Sequence, residues 1–486
     1  MNALVHDARI AGDLGKGTPL HALFRGRNGV IAAYIIGFIV FLPYPAISAG
    51  GNTGIQLGDV FSLLFALPLV FLSWKRNPYY LFGLILFPLV LSCLKVAIMR
   101  EPGVDTALKT SLSTGIWCVT LLTAQLFIPT FFMEVMCGVA AATLLHALVG
   151  AWQMYVFQTG GELPLQFLYV NPSFYSVQDY SETIVKYIQR PFGLFSEPSA
   201  MSSSLAPFVL LWLAEMLGLV KYVRTPKRWQ RILFAAAAIS GLLLIIASRS
   251  GHAMATLGFA CVLGLAWLKT ARATWRNYLS ILTVLMVVLP FAVWMTYLAV
   301  GARVTEINGA NESWQERSYS LVLGFDLWIH SDIWTILFGM GGSQSAVATS
   351  NSSAHIEAVY SVLLSYIYDN GVVSIIIVGW IGRFLYKIWQ STRFSVTYAS
   401  IFLIWFIGIT VITSYNMLLP IWFALGLLTV WPMVITQASV RRRPSKNALR
   451  NRWVTRVPSN IRVAPVKVGA GDIVANTGNP PGIGTP

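Results

Sequence analysis

The sequence has few charged residues and few cysteines, and both shortages narrow the class of protein. Asp, Glu, Lys and Arg make up only 11% of its 486 residues, whereas soluble domains carry about 25%. The four cysteines are scattered through apolar runs without a CxxC spacing, so the sequence predicts neither a disulfide framework nor a zinc site. Because 56% of the residues are hydrophobic, this composition indicates a membrane protein rather than a soluble domain.

The apolar residues form runs that are long enough to cross a bilayer, which takes about 20 residues per helix. In lipid, a helix satisfies its own backbone hydrogen bonds. We therefore predict an all-α polytopic membrane protein with about 12 transmembrane helices. The predicted spans cover residues 30–49, 57–73, 80–98, 115–131, 134–157, 200–220, 232–248, 253–268, 278–300, 357–382, 396–414 and 417–437.

The distribution of Lys and Arg predicts the orientation of these spans, because basic residues collect in cytoplasmic loops. Placing the N- and C-termini in the cytoplasm puts most of the 34 Lys and Arg residues on that side. The net charge of +15 is then explained by topology and by contact with anionic lipid, not by nucleic-acid binding. Three parts follow: a cytoplasmic N-terminal segment (1–29), a transmembrane domain (30–438) and a cytoplasmic, disordered basic tail (439–486).

This orientation leaves two large periplasmic loops, about 158–199 and 301–356, and a few basic residues outside the cytoplasm. Arg190 ends the first loop, Arg249 lies in a tight outer turn, and Arg317 lies in the second loop. The spans that begin near 200, 253 and 357 point their positively polarised N-termini to the same side. Arginines beside helix N-termini suit a phosphate or pyrophosphate. The alternative is a non-catalytic role, in which each arginine contacts lipid headgroups or pairs with a nearby acid.

Two titratable side chains lie beside the predicted span starts. His355 precedes the span near 357 and is a candidate general base. Glu197 is a second candidate, although it could instead orient Arg190 or cap its helix, and His355 could be structural. The outer loops contain no Asp-x-Asp pair or acidic cluster, so the sequence predicts no metal site and no cofactor.

Three stretches resemble one enzyme superfamily. "RPFGLFSEPSA" (190–200), "IIASRSGHAMATL" and "WTILFGMGGSQSAVATSNSSAHIEAVYSVLLSYIYDNGVVSI" resemble motifs of the O-antigen ligases and Wzy-type exopolysaccharide and O-antigen polymerases. The last stretch has the glycine-rich turn, the Ala-His pair at His355, and an acid near a glycine at Asp369 and Gly371. The resemblance covers about residues 190–380. It departs at Ile356, where many members have a small polar residue.

The resemblance implies a metal-independent glycosyltransferase in the bacterial inner (cytoplasmic) membrane. It would polymerise undecaprenyl-pyrophosphate-linked oligosaccharide repeat units at the periplasmic face. Arg190, Arg249 and Arg317 would bind the pyrophosphate, and His355 or Glu197 would accept a proton. Partners implied are the lipid-linked oligosaccharide, membrane lipids, a chain-length regulator and a flippase. Alternatives are an O-antigen ligase acting on lipid A-core and, in third place, a transporter or flippase of lipid-linked glycan.

Overall fold

The computed structural model of the chain is mostly helical. It describes residues 26–43, 46–48, 54–56, 104–163, 165, 189–195, 197–216, 220–250, 319–320, 322–339, 362–375, 379 and 419–437, together with the single positions 60, 64, 90 and 97. The helices are α1 (Arg27–Ile39), α2 (Val104–Thr159), α3 (Pro198–Met216), α4 (Arg228–Ala247), α5 (Ile333–Phe338), α6 (Val362–Asn370) and α7 (Leu419–Val434). The strands are β1 (Ala46–Ser48), β2 (Gly54–Gln56), β3 (Val220–Tyr222) and β4 (Ile435–Gln437).

Three of the described helices are long and apolar enough to cross a membrane. They are Phe127–Thr159 within α2, then α3, and then α4. Two shorter apolar helices, α1 and the first part of α7, pack against α2. The predictions that these regions are helical are therefore confirmed, and three of the helices have the length and apolar composition of a membrane span.

Helix α2 consists of two helices joined at a kink. Phe131 has non-helical φ and ψ angles of −121° and 34°, and Pro129 lies two residues before it. Proline removes a backbone donor and crowds the preceding turn, which is a common cause of a kink. The sequence predicts a short cytoplasmic turn near residue 132, between spans 115–131 and 134–157, and the structure has the kink beside that position.

Helix α4 packs against both α3 and the last part of α2, with a glycine at the contact. Gly241 of α4 lies against Val209 of α3 and Thr143 of α2, and a Cβ on Gly241 would come within 2.6 Å of Val209 Cγ2. Trp212 of α3 stacks on Phe234 of α4 with ring centroids 5.9 Å apart. Close helix approach through glycine is typical of membrane helix pairs. This three-helix group carries the candidate site.

The prediction of an all-α protein is wrong for four short segments, which form two pairs of strands. β1 pairs with β2, and β3 pairs with β4, each as an antiparallel two-stranded ladder. β1 lies inside the predicted span 30–49, and α1 ends at Ile39. Pro43 and Pro45 follow that end, and proline and the residue before it resist helix continuation. Similarly, α3 ends at Met216 rather than at 220, and α7 gives way to β4.

The predicted span 357–382 is also not one continuous helix. Helix α6 ends at Asn370, and Gly371 adopts a φ of +70°. The N–H groups of Val372 and Val373 then donate to the carbonyl oxygens of Ile336 and Leu337 at 3.0 and 3.3 Å. The chain therefore leaves helical geometry here and hydrogen-bonds to α5, a partner that periodicity does not show.

Several predictions lie outside the described residues. These are the spans 253–268, 278–300 and 396–414, nearly all of 57–73 and 80–98, the tail 439–486 and the first 25 residues. The span count and the sidedness of the termini stay predictions.

Candidate functional site

Contacts around α2 bring two of the predicted pyrophosphate-binding arginines to the same end of the three-helix group. Leu244 of α4 and Pro191 both pack against Gly150 of α2, and a Cβ on Gly150 would overlap Leu244 and lie 3.4 Å from Pro191 Cβ. Pro191 directly follows Arg190, and Leu244 is in the last turn of α4 before Arg249. We call this end, which carries Arg190 and Arg249, the arginine end.

The segment that carries Arg190 is a tight, buried turn. Gln189 and Gly193 have positive φ angles of 45° and 58°, conformations that cost a non-glycine residue about 1–2 kcal/mol. Pro191 through Phe195 are buried, whereas Arg190 is partly exposed. A short segment with two left-handed residues needs outside support to hold one conformation.

Gln153 of α2 supplies part of that support. The N–H groups of Phe192 and Gly193 donate to Gln153 Oε1 at 3.0 and 2.9 Å. Gln153 Nε2 donates in turn to the Gly193 carbonyl oxygen at 2.9 Å. The Gln153 side chain is fully buried, so its amide is used for holding the turn rather than for contact with solvent.

His146, two turns earlier on α2, holds the next residue of the turn. The Leu194 N–H donates to His146 Nδ1 at 3.1 Å. Nδ1 therefore carries no hydrogen, and the neutral ring has its hydrogen on Nε2, which donates to the Phe41 carbonyl oxygen at 2.7 Å. With both nitrogens bound to the backbone, this fully buried ring has a positional role. We call His146 and Gln153, with the residues Phe192–Leu194 that they bind, the clamp.

Glu197 lies at the start of α3, as the sequence predicts for a residue near a span start. The helix begins at Pro198, and the Met201 N–H donates to the Glu197 carbonyl oxygen at 3.1 Å. Proline suits the first helical position because the N–H that it lacks has no partner there. Glu197 is partly exposed, and it shares the arginine end because the turn just before it packs on α2. Ser196, whose hydroxyl would suit a cap before Pro198, lies outside the described residues.

Arg249 directly follows the end of α4 in a strained conformation. Ser248 ends the helix, and its Oγ donates to the Ile245 carbonyl oxygen at 2.6 Å. Arg249 then has a φ of +50°, and its N–H donates to the Ile246 carbonyl oxygen at 3.1 Å. Glycine is the usual residue at this position. An arginine here accepts backbone strain, and strain of this kind gathers at functional sites.

Exposed aromatic residues mark a level near the arginine end. Trp152 and Tyr155, on one face of α2, are 53% and 64% exposed and follow Gly150, which contacts Leu244 in the last turn of α4. At the other end of α4, Trp229 is 48% exposed. The rise from Trp229 to the last turn, Leu244–Ala247, is about 23–27 Å at about 1.5 Å per residue. Aromatic residues favour both edges of a bilayer, whose hydrocarbon core is about 30 Å thick.

The opposite end of the group is rich in exposed basic residues and carries a buried acid. Arg224 pairs with Glu134 of α2 at 3.3 Å, where the arginine side chain is 61% exposed and the glutamate side chain 10% exposed. Burial raises the pKa of Tyr222 well above its ordinary value, and the Glu215 carboxylate adds to the rise. The other exposed basic residues of this end are Lys221, Lys227, Arg228 and Arg231.

Two segments of the third quoted stretch, at Gly339 and Gly371, pack against each other backbone to backbone. Gly339 and Gly371 have φ angles of 83° and 70°, and a Cβ on either would overlap the backbone of the other segment, at Asp369 or Leu337. The glycine-rich turn and the acid-glycine pair, which the sequence shows as separate signals, therefore lie against each other. His355 and Arg317 lie outside the described residues.

Helix α5 of this region begins with a side-chain cap. The N–H groups of Trp334 and Thr335 donate to Asp332 Oδ1 at 2.9 and 3.1 Å. The Thr335 hydroxyl donates to Asp332 Oδ2 at 2.7 Å, and these hydrogen bonds lower the pKa of the Asp332 carboxyl. The cap fixes the start of α5, and Gly371 and Val372 pack against this short helix.

Sequence reasoning missed the clamp. His146 and Gln153 are seven residues apart on α2, so they share one face. Two polar side chains at that spacing, within a span, are the signal that could have identified them. Among the described residues, no three His, Cys, Asp or Glu side chains lie close enough together to hold a metal ion.

Comparisons with protein-family models, with characterised proteins and with solved structures return no match. The functional conclusion therefore depends on the residues and their geometry.

Proposed function

We propose that the protein is a glycosyltransferase of the membrane, a polymerase of lipid-linked oligosaccharides that resembles the Wzy type. The donor would be a glycan on undecaprenyl pyrophosphate, and the site would be the arginine end, facing the periplasm of a bacterial inner membrane. The observation that carries the proposal is the placement of Arg190 and Arg249, from separate segments, at one end of three apolar helices.

The charge at this end suits the leaving group. The acceptor hydroxyl would attack the anomeric carbon of the donor, the sugar–phosphate bond would break, and the pyrophosphate would keep the bonding electrons. Guanidinium groups fit phosphate oxygens in pairs and stabilise charge that develops there. Arg317, from the second loop, would join Arg190 and Arg249. The hydroxyl proton would pass to His355 or Glu197.

The exposed aromatic residues near this end support a lipid-linked substrate. Trp152 and Tyr155 suit a bilayer edge, and the arginines lie at the same end of the helices. A pyrophosphate on a membrane-embedded polyprenyl chain would sit at that edge. The basic residues around Arg224 and Arg228, at the opposite end, suit the cytoplasmic side.

A ligase that transfers the glycan to lipid A-core is the near alternative, because both reactions break the same donor bond. A transporter or flippase of the lipid-linked glycan is less favoured. Transport places ionisable residues along a pathway at mid-bilayer, whereas the buried His146 is held on both ring nitrogens by the backbone. The acceptor decides between polymerase and ligase, and a chain-length regulator and a flippase would be partners in either pathway.

The strained residue Arg249 provides a sharp test. Arg249→Gly removes the guanidinium but relieves the positive φ, so the protein should be at least as stable as the wild type while transfer falls by about 10²–10³-fold. Gln189→Gly is the matched control, because it relieves the same kind of strain in the same region without removing a charge. Purified protein in lipid nanodiscs would be given lipid-linked oligosaccharide, with chain growth read on gels and stability by thermal unfolding.

The control should keep normal transfer. If Arg249→Gly keeps wild-type transfer, the arginine is a structural or lipid-anchoring residue and the proposed site is wrong. Arg190→Lys and Arg249→Lys add a second test, because an ammonium lacks the planar fork of arginine. Full activity of both lysine variants would favour simple headgroup anchoring. Products that appear only when lipid A-core is added would identify the ligase.

A further inference from the structure

The two buried side chains of the clamp, His146 and Gln153, both hydrogen-bond to one turn. His146 and Gln153 are fully buried in an apolar helix, where a polar side chain without partners costs about 1–3 kcal/mol. Both make their hydrogen bonds to main-chain atoms outside α2. By contrast, the buried Thr143 of the same helix donates to the Val139 carbonyl oxygen one turn back.

The hydrogen bonds fall on three consecutive backbone N–H groups. Phe192 and Gly193 donate to Gln153, and Leu194 donates to His146. Three successive N–H groups fixed by side chains of one rigid helix determine both the position and the direction of the chain. Gly193 also lies so close that a Cβ there would be 2.7 Å from His146 Nδ1, so the turn has no room to shift toward α2.

We propose that His146 and Gln153 are positioning residues that set Arg190 for the donor pyrophosphate, an inference that rests on the proposed function. Arg190 is joined to the clamp by Pro191 alone, and the proline ring fixes one of the intervening backbone angles. Movement of Phe192 is therefore passed to Arg190. A displacement of about 1 Å at a transition-state contact costs about 10²-fold in rate.

Substitutions of similar size at Gln153 and His146 remove different sets of hydrogen bonds. Gln153→Glu keeps an oxygen that accepts from Phe192 and Gly193 but loses the donor to the Gly193 carbonyl. Gln153→Met keeps the length and removes every hydrogen bond. His146→Phe keeps a ring in contact with Phe195, whose ring lies 4.8 Å away, and removes both hydrogen bonds. Thr143→Val is the matched control, since it removes a buried hydroxyl of α2 that does not bind the turn.

The first experiment does not depend on activity. Hydrogen–deuterium exchange of the purified full-length protein would be followed in peptides that cover residues 189–197. We expect Gln153→Met and His146→Phe to speed exchange at residues 192–194 by at least about 10-fold, with Gln153→Glu in between and Thr143→Val unchanged. Unchanged exchange in both clamp variants would overturn the clamp itself.

The second experiment is a double-mutant cycle for transfer from lipid-linked oligosaccharide. Alone, Gln153→Met and His146→Phe should each slow transfer by about 10–10²-fold, mainly in kcat, since the lipid chain and sugars still bind. In an Arg190→Ala background the same changes should cost less than about 3-fold, because the group that they position is gone.

The outcomes separate the two proposals. Losses that multiply in full in the Arg190→Ala background would overturn the positioning role, while the function would stand. A wild-type protein without transfer, or an Arg190→Ala variant with full transfer, would overturn the proposed function. In that case the exchange data would still report whether the turn is clamped. Partial rescue by Gln153→Glu supports positioning through the two accepted N–H bonds.

Discussion

Replacing Gly193 by alanine tests the tightest contact at the arginine end. The residue has a φ of +58°, and a Cβ would lie 2.7 Å from His146 Nδ1 and 3.2 Å from its Cβ. The left-handed backbone alone costs alanine about 1–2 kcal/mol. If the His146 ring moves to make room, the Leu194 N–H and the Phe41 carbonyl lose their partner, at about 1–3 kcal/mol for each buried group.

Gly160→Ala is the control that separates the two costs. Gly160 follows α2 with a φ of +74°, and nothing lies within 4 Å of a Cβ placed there. It therefore bears the backbone cost alone. The measurement is thermal unfolding of both variants in the same detergent, together with transfer activity. We expect Gly193→Ala to unfold several degrees below Gly160→Ala and to lose transfer, while Gly160→Ala stays active. Equal melting temperatures would refute the contact with His146.

Two further predictions concern regions that lie wholly or mostly outside the described residues. His355→Gln should slow transfer by about 10²–10⁴-fold while leaving donor binding largely intact, because an amide cannot accept the proton; near-normal chain growth on gels would show that His355 is not the base. Reporter fusions in 158–175 and 308–314 should report the periplasmic side, and fusions after Arg441 the cytoplasmic side. A cytoplasmic signal from either loop would place the arginines on the wrong face for the donor.

Hydrophobic runs predict the helices well but place their ends less accurately. The predicted spans 200–220 and 232–248 appear as Pro198–Met216 and Arg228–Ala247. The length of an apolar run shows how many residues can face lipid. The ends of a helix depend instead on hydrogen-bond partners of the backbone, such as the Glu197 carbonyl oxygen at the start of α3. The first span shows the larger error, since Val40 to Ala49 stays apolar although prolines stop the helix.

The candidate site could be predicted only in part for a related reason. Basic residues outside the cytoplasm identify Arg190 and Arg249, because their charge is unusual in that setting. The sequence could not show that the segments carrying them meet at Gly150, since that contact depends on how Leu244 of α4 and Pro191 pack on α2. The link between Gly339 and Gly371 was hidden likewise, because it joins backbones across a long stretch of sequence.

The contacts of His146 decide between a structural role and a proton-accepting role, which the sequence alone leaves open. In the sequence, His146 is an ionisable residue inside a span, which suits a proton pathway as well as a structural role. Its two backbone hydrogen bonds fix one neutral tautomer and leave no nitrogen lone pair to accept a substrate proton. In the proposed transfer the base is then His355, Glu197 or no protein group. Because the clamp already holds Arg190 through His146, a proton on Nδ1 would break the bond to Leu194. The same residue therefore cannot both position the arginine and take up the proton, so the two tasks must fall to different side chains.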